Sequence, residues 1–161
     1  MKVLIISDSH GRHENVDKVL RKEKHLDMLI HLGDIEGDED YIQASAGCPL
    51  YAVRGNNDFF SNLDYEMTIA VGKYDVFITH GHMYYASLGI EELLKEGRAR
   101  NKDVVMFGHT HVPMLQQYED ITILNPGSIS YPRQEGRIPT YAIMELDDKG
   151  EAHYRICELK D

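Results

Sequence analysis

The sequence contains no tryptophan and only two cysteines among its 161 residues. Cys48 and Cys157 lie far apart in unrelated contexts, so neither a disulfide framework nor a cysteine-based metal or redox motif is indicated. They are interpreted as free thiols of a protein in a reducing compartment. No apolar stretch approaches the roughly 20 residues that a membrane span requires. These absences argue against a disulfide scaffold and against a membrane-spanning protein.

The sequence is also poor in positive charge, with 17 Lys and Arg against 27 Asp and Glu and a formal net charge of -10. No cluster of Lys or Arg stands out against this balance. An acidic surface repels nucleic-acid backbones and anionic lipids, so we predict neither a nucleic-acid polymer nor a membrane as a partner. A small phosphorylated substrate stays compatible, because bound metal ions would set the local field.

The length and the composition, with 42% hydrophobic and 27% charged residues, are those of one globular domain. We therefore predict a single domain over residues 1–161. The apolar start of the chain is too short for a signal peptide and runs directly into a polar motif. The expected location is the cytoplasm.

Apolar runs of strand length alternate with helical patterns over the first two thirds of the chain, and the last third reads as strands. The predicted strands cover residues 2–6, 28–32, 50–53, 66–71, 75–79, 103–107, 121–124, 140–145 and 152–158. The predicted helices cover residues 14–24, 38–46 and 90–100. This order indicates an α/β sandwich, in which two sheets pack together with helices outside.

Five of the apolar runs end directly in a short polar segment. The candidate ligands in these segments are Asp8, His10, Asp34, Asn56, His80, His109 and His111. Ligand sites of α/β sheets lie outside the carboxyl ends of the strands, so the five segments are expected to converge. Turn chemistry alone also places Asp and Asn after strands, but five such segments in order favour a shared metal site.

The seven candidates combine carboxylates, one amide oxygen and imidazoles, without a thiolate. This set suits borderline-to-hard divalent ions such as Mn²⁺, Fe²⁺, Ni²⁺ or Zn²⁺. Seven residues exceed what one ion needs, and they supply four ligands to each of two ions if one carboxylate bridges. A bridging water would then complete both coordination shells.

The polar segments resemble, in order, the motifs of the calcineurin-like metallophosphoesterases. The matching segments are Asp8-Ser9-His10, Gly33-Asp34, Gly55-Asn56, His80-Gly81-His82 and Gly108-His109-Thr110-His111. The chain length, the opening Ser7-Asp8-Ser9-His10-Gly11 and the segment Asn125-Pro126-Gly127-Ser128 are similar to the small, single-domain YfcE-type phosphodiesterases. Each motif is weak alone, but all five in order, within residues 2–133, are specific.

The resemblance implies a four-layer αββα sandwich of two mixed sheets flanked by helices. It implies two divalent ions, Mn²⁺ above all, and hydrolysis of phosphate esters, chiefly phosphodiesters, by a hydroxide that bridges them. The first ion would take Asp8, His10, Asp34 and His111. The second would take Asp34, Asn56, His80 and His109, with Asp34 as the bridge.

One position departs from the family pattern. Many relatives carry a His directly after the motif Asn, whereas this chain has Asn57, which can donate a hydrogen bond but cannot deliver a proton as an imidazolium does. Close YfcE-type relatives also tend to lack this His. Asp58 is expected to orient Asn56 or Asn57, and His82 to donate a proton or bind phosphate, with a structural role as the alternative for His82.

Three loop residues, Arg12, His13 and Arg133, are candidates for substrate contact, although such residues are usually solvated.

The same metal site would also serve a phosphomonoesterase or a hydrolase of dinucleoside polyphosphates. A non-catalytic protein-binding scaffold is a further alternative, but all seven ligand positions are intact, which disfavours it. Relatives are often dimers, so a homodimer is an expectation by analogy.

Overall fold

The computed structural model describes residues 1–160, which form ten strands and three α-helices. The strands are β1 (Lys2–Ile6), β2 (Met28–His31), β3 (Leu50–Ala52), β4 (Glu66–Val71), β5 (Tyr74–Thr79), β6 (Val104–Met106), β7 (Met114–Gln117), β8 (Thr122–Asn125), β9 (Thr140–Leu146) and β10 (Ala152–Glu158). The helices are α1 (Glu14–Lys22), α2 (Glu39–Ala46) and α3 (Glu91–Ala99). A short 3-10 turn covers His82–Tyr84.

The strands form two mixed five-stranded sheets. The first has the order β10-β9-β1-β2-β3, and the second has the order β4-β5-β6-β8-β7. Strands β1, β2 and β3 run parallel in the first sheet, as do β5, β6 and β8 in the second. The remaining pairs are antiparallel, and β4 and β5 form a hairpin.

The burial pattern explains why these strands read as continuous apolar runs. Alternate residues of β1 face opposite sides of the sheet, and all of Val3 to Ile6 is fully buried. Val3 and Ile5 join a core between the two sheets, together with Val76 of β5. Leu4 belongs to a second core, which α1 and α2 cover.

The second sheet is covered in the same way on its outer face. Phe77 and Val105 pack against Leu93 of α3. The layers are therefore helices, sheet, sheet and helix, which confirms the predicted αββα sandwich.

Two local elements were not predicted. Strand β7 lies at the edge of its sheet, and its sequence Met-Leu-Gln-Gln carries little of the apolar signal that marks a buried strand. The 3-10 turn follows Gly81, whose φ of 102° reverses the chain after β5. The helix ends also differ, since α1 ends at Lys22 rather than at the predicted residue 24.

Across residues 1–160, the protein has no helix with the length and apolar character needed to cross a membrane.

Candidate metal centre

The polar segments after the parallel strands meet at one edge of the sandwich, as predicted. Backbone hydrogen bonds join them, from Asp8 N to Gly33 O at 3.0 Å and from His10 N to Asp34 O at 2.9 Å. In the second sheet, Gly108 N donates to His80 O at 3.0 Å. Parallel strands end at the same edge, so the first and second segments, and the fourth and fifth, are paired by the sheet itself.

The backbone at this edge is strained. Five of the seven candidate ligands have positive φ values, between 50° and 67°. They are Asp8, His10, Asp34, His109 and His111. A non-glycine residue in this region costs free energy and persists only where the surroundings enforce it, and such residues concentrate at functional sites.

Two glycines allow the close approach of neighbouring segments. A Cβ atom at Gly108 would collide with Ser7 Oγ and lie 2.9 Å from Asp8 Oδ2. A Cβ atom at Gly55 would collide with the Asp34 carboxylate. Glycine at these positions therefore leaves room for the two candidate carboxylates.

The Asp8 carboxylate is fully buried, and its two oxygens have different environments. Oδ2 accepts hydrogen bonds from Ser7 Oγ at 2.6 Å and from His109 N at 3.2 Å. Oδ1 is buried without a hydrogen-bond partner among residues 1–160 and lies 3.1 Å from His111 Nε2. Burial by itself would raise the pKa of Asp8, but the His111 contact and the His80 charge outweigh it and lower the pKa.

Three candidate histidines present Nε2 to the site, because Nδ1 has another partner. Nδ1 of His80 donates to Leu32 O at 2.7 Å, and Nδ1 of His111 donates to Tyr131 O at 2.7 Å. Nδ1 of His10 lies 2.8 Å from Glu36 Oε1. In the neutral rings, these bonds assign the tautomer that leaves the Nε2 lone pair free, which is how metal-bound histidines are held.

The lone pairs then face one another at short distances. His10 Nε2 and His111 Nε2 are 3.3 Å apart, and His80 Nε2 lies 3.0 Å from Asn56 Oδ1. The same Asn56 oxygen lies 3.0 Å from His109 Nδ1. Two acceptors at such a distance repel unless a proton or a cation lies between them. The donor set therefore fits divalent metal ions, which imidazole, carboxylate and amide ligands bind.

Two groups of side chains have ligand atoms within 4.8 Å of one another. The first consists of Asp8, His10 and His111, and the second of Asp8, Asp34 and His80. Asp34 Oδ2 also lies 3.8 Å from His10 Nε2 and 3.5 Å from His80 Nε2. Each carboxylate therefore lies within 4.0 Å of at least one histidine of each group.

Asn57 is held against Asp34. Its backbone N donates to Asp34 Oδ1 at 2.8 Å, and its side-chain Nδ2 donates to Asp34 Oδ2 at 2.7 Å. Burial would raise the pKa of Asp34, but the contacts with His80 and Asn57 outweigh it, so the pKa falls well below its usual range. The Asn57 amide thus stabilises the ionised form of a candidate metal ligand.

Asp58 is buried and holds the Asp34 segment rather than the side chain of Asn56 or Asn57. Its Oδ2 accepts from Asp34 N at 2.8 Å and from Gly55 N at 2.7 Å, and its Oδ1 accepts from Glu36 N at 2.7 Å. The predicted orienting role therefore acts on backbone of the second and third segments. The reason is that the turn after β3 directs this carboxylate back to the turn after β2.

Two further histidines lie near the centre. His31 is fully buried, accepts from Gly33 N at 3.2 Å and lies 2.9 Å from Ser9 Oγ, and burial lowers its pKa to about 4. It is a neutral histidine that packs beneath the candidate ligands. His82 is half-buried, with its ring 5.4 Å from that of His80, and burial together with the His80 charge lowers its pKa.

The three predicted substrate contacts differ in their surroundings. Arg12 is exposed and stacks on Tyr131, with its guanidinium carbon 4.7 Å from the ring centroid. Arg133 is exposed and lines a cavity that also contains His10 and His111. His13 packs on Tyr41 at a centroid distance of 4.3 Å, and its Nδ1 lies 3.4 Å from Asp38 Oδ2.

Sequence reasoning missed the partners that orient the imidazoles. Glu36, the Leu32 carbonyl and the Tyr131 carbonyl all hold candidate ligands. Any backbone carbonyl can accept such a bond, so no residue type marks the position. Arg137, which lines the same cavity as Arg133, was also missed, because a lone arginine in a polar loop carries no signal.

Comparison with known proteins shows which family the chain belongs to. The model of the calcineurin-like phosphoesterase superfamily domain matches residues 1–149. The chain belongs to this superfamily. The probable metallophosphoesterase YsnB of Bacillus subtilis is 32% identical over 149 residues, covering 92% of this chain and 86% of that protein.

Two further comparisons agree with membership of the calcineurin-like superfamily. The phosphodiesterase YfcE of Escherichia coli K12 is 30% identical, covering 91% of this chain and 89% of that protein. The crystal structure of a conserved, predicted phosphoesterase from Streptococcus pneumoniae TIGR4 superposes with a TM-score of 0.80 at 26% identity. That alignment covers 98% of this chain and 97% of the other. Members of this metallophosphoesterase family act on phosphate esters with divalent metal ions, and the candidate ligands for such ions are present here.

Proposed function

We propose that this protein is a metal-dependent phosphodiesterase that hydrolyses small phosphorylated substrates with two divalent ions. The observation that carries the proposal is the close approach of potential metal ligands, above all that of His10 Nε2 to His111 Nε2 at 3.3 Å, with His80 Nε2 3.0 Å from Asn56 Oδ1 nearby. Because Nδ1 of His10 and Nδ1 of His111 each donate to another group, the two Nε2 atoms repel at this distance unless a proton or a cation lies between them. The relationship to YfcE, a phosphodiesterase, supports the reaction class.

The proposed ligand sets are those that the family motifs imply. Asp8, His10, Asp34 and His111 hold the first ion, and Asp34, Asn56, His80 and His109 hold the second. Asp34 is proposed as the bridge, because its Oδ2 lies within 3.8 Å of a histidine from each set. Asp8 belongs to the first set, in which its free Oδ1 contacts His111 at 3.1 Å.

Mn²⁺ is the proposed preferred ion, with Ni²⁺, Fe²⁺ and Zn²⁺ as alternatives. The donors are nitrogen and oxygen atoms, and the two cysteines contribute nothing, since neither belongs to the groups that could hold an ion. A mixed carboxylate and imidazole set without thiolate favours ions of this hardness.

When bound, a pair of divalent ions lowers the pKa of a bound water and neutralises charge on the phosphoryl oxygens. The residues of the chain keep the ligands in place for this chemistry. Asn57 holds Asp34 ionised through two hydrogen bonds, and Asp58 fixes the backbone that carries Asp34. His82 is proposed to contact the phosphate or to carry a proton beside His80, since buried His82 Nδ1 has no partner among residues 1–160.

The substrate is proposed to approach from the side of Arg12 and Arg133. These guanidinium groups offer paired N–H donors that suit phosphate oxygens. His13 is also proposed to contact the substrate. Its ring packs on Tyr41 and its Nδ1 lies near Asp38, so this side chain would have to move to reach the substrate.

The experiment is hydrolysis of bis-(p-nitrophenyl) phosphate by metal-stripped protein, with Mn²⁺ added back. Activity should return with the metal and be absent in Asp34→Asn, whereas Asp148→Asn, which changes an exposed turn carboxylate, should retain it. p-Nitrophenyl phosphate, assayed in parallel, tests the monoesterase alternative. Metal uptake without hydrolysis under any of the four ions would contradict the proposal.

A single catalytic domain, a cytoplasmic location and a homodimer remain predictions. Light scattering of the purified full chain tests the dimer directly, because one 18.5 kDa chain and a pair of chains differ twofold in mass.

A further inference from the structure

A second feature of the candidate site is a cavity of about 610 Å³ beside it. His10, His111, Tyr131, Arg133 and Arg137 are among the residues that line this cavity. We call it the arginine cavity. A substrate whose scissile phosphate lies at the histidines would extend into this space.

The arginines of this cavity lack acidic partners. Within residues 1–160, neither Arg133 nor Arg137 has a carboxylate oxygen within 4.0 Å, whereas Arg98, Arg100 and Arg155 are all paired with Asp or Glu. The net charge of the chain is -10, so carboxylates are abundant. Two guanidinium groups that line one cavity without a carboxylate partner are available for an anion from solution.

The frame of the arginine cavity is tied to the candidate metal centre. His111 Nδ1 donates to Tyr131 O at 2.7 Å, and Arg133 N donates to His111 O at 3.0 Å. The turn that follows has Arg137 at a φ of 46°, closed by the bond from Arg137 N to Gln134 O at 3.0 Å. A positive φ costs a non-glycine residue free energy, and here it belongs to the turn whose arginine lines the cavity.

A second cavity beside the site has the reverse charge. A cavity of about 690 Å³ next to Asn57 is lined by Glu36, Glu39 and Asp40. Carboxylates there repel an anionic group. Glu36 also reaches the arginine cavity, but its Oε1 is engaged by His10 Nδ1 at 2.8 Å. The two cavities therefore differ in charge, and of the two only the arginine cavity offers cationic side chains to an anionic group.

We propose that the arginine cavity binds a second phosphate of the substrate, so that the preferred substrate is a phosphodiester bearing an additional phosphate monoester. This inference rests on the proposed function, because it names the class of ester that the same site hydrolyses. Arg133 and Arg137 are the specificity-determining residues, and Tyr131 holds the third guanidinium, that of Arg12, at the rim.

Two synthetic esters with the same leaving group test the proposal. Thymidine 5′-(p-nitrophenyl phosphate) and its 3′-phosphorylated form differ by one phosphate, and both release p-nitrophenol. The full chain with Mn²⁺ should prefer the 3′-phosphorylated ester by about tenfold or more in kcat/KM. The preference should decline as salt is raised, because exposed charges are screened.

The variants report on the ratio of the two kcat/KM values. Arg133→Gln with Arg137→Gln should reduce the preference to about threefold or less, and the Lys substitutions should retain part of it. Arg21→Ala removes an exposed arginine from the last turn of α1 and should leave the ratio unchanged. Equal use of both esters by the unaltered protein, or a preference that survives the double Gln substitution, would overturn the proposal.

Calorimetry separates this inference from the hydrolysis itself. Thymidine 3′,5′-bisphosphate should bind to the Mn²⁺-containing protein more tightly than thymidine 5′-monophosphate, and the double Gln variant should lose that difference. If neither ester is hydrolysed but the bisphosphate is preferred, the proposed function fails and the binding site stands. Equal affinities for the two nucleotides would refute the site even in an active phosphodiesterase.

Discussion

Replacing Asp58 by Asn tests how the centre is held together without removing any candidate ligand. The Asp58 carboxylate accepts three backbone N–H groups, from Asp34, Glu36 and Gly55, at 2.7–2.8 Å. An Asn at this position can keep its oxygen toward two of these donors, and its NH₂ group then faces the N–H of Glu36. The variant therefore loses the hydrogen bond from Glu36 N, and its NH₂ donor faces the N–H donor of Glu36.

The size of the effect follows from these contacts. Hydrogen bonds to a charged group contribute about 1.5–3 kcal/mol each, and an unsatisfied buried donor costs about 1–3 kcal/mol. We therefore expect Asp58→Asn to lower the free energy of unfolding by about 3 kcal/mol, with the loss of one bond as the main part. For a chain of this size, that corresponds to a fall in Tm of about 6–12 °C.

Thermal unfolding of metal-free protein, followed by circular dichroism, measures this loss. Asp148→Asn is the matched control, since it makes the same chemical change in an exposed turn. The affinity for Mn²⁺ should also fall by about 10–100-fold, because Asp34 loses its backbone support. A Tm within 2 °C of the unaltered protein, by the scale of about 2–4 °C per kcal/mol, together with unchanged Mn²⁺ affinity, would refute the reasoning.

Three more predictions concern leaving groups, pH and backbone approach. Since Asn57 cannot deliver a proton as an imidazolium does, aryl phosphoesters should be hydrolysed faster than alkyl ones, and Asn57→His should raise the alkyl rate more; equal effects in parallel assays would contradict this role. Burial opposes ionisation of Glu23, but bonds from Lys2 and Tyr141 lower its pKa below 4.5. Its stabilising contribution is therefore present above pH 4.5 and lost as the pH falls through the lowered value, so acid unfolding curves should be flatter for Glu23→Gln. Gly108→Ala should abolish tight Mn²⁺ binding in calorimetry, because the added Cβ would displace Ser7 Oγ and the Asp8 carboxylate. Unchanged affinity would contradict this, because it would mean that the loop moves enough to accommodate the methyl group.

The fold and the grouping of candidate ligands were predictable because their signals are local. Buried strands such as β1 read as unbroken apolar runs, and the polar residues directly after them lie wherever the strand ends. The convergence of Asp8, Asp34 and His80 then follows from the rule that parallel strands end at one edge. Strand β7 escaped prediction because an exposed edge strand has no core face to record in its sequence.

By itself, the sequence determined the αββα sandwich and the residue types available at the site. Only the tertiary structure decided which atoms face the candidate metal positions. The Leu32 and Tyr131 carbonyls select the histidine tautomers, and Asp58 supports backbone rather than the amide predicted for it. The tertiary structure also left Arg137 unpaired beside the centre. These features depend on atoms far apart in the chain, because hydrogen bonds and charge pairs are set by distance in space, which no local pattern of residues encodes.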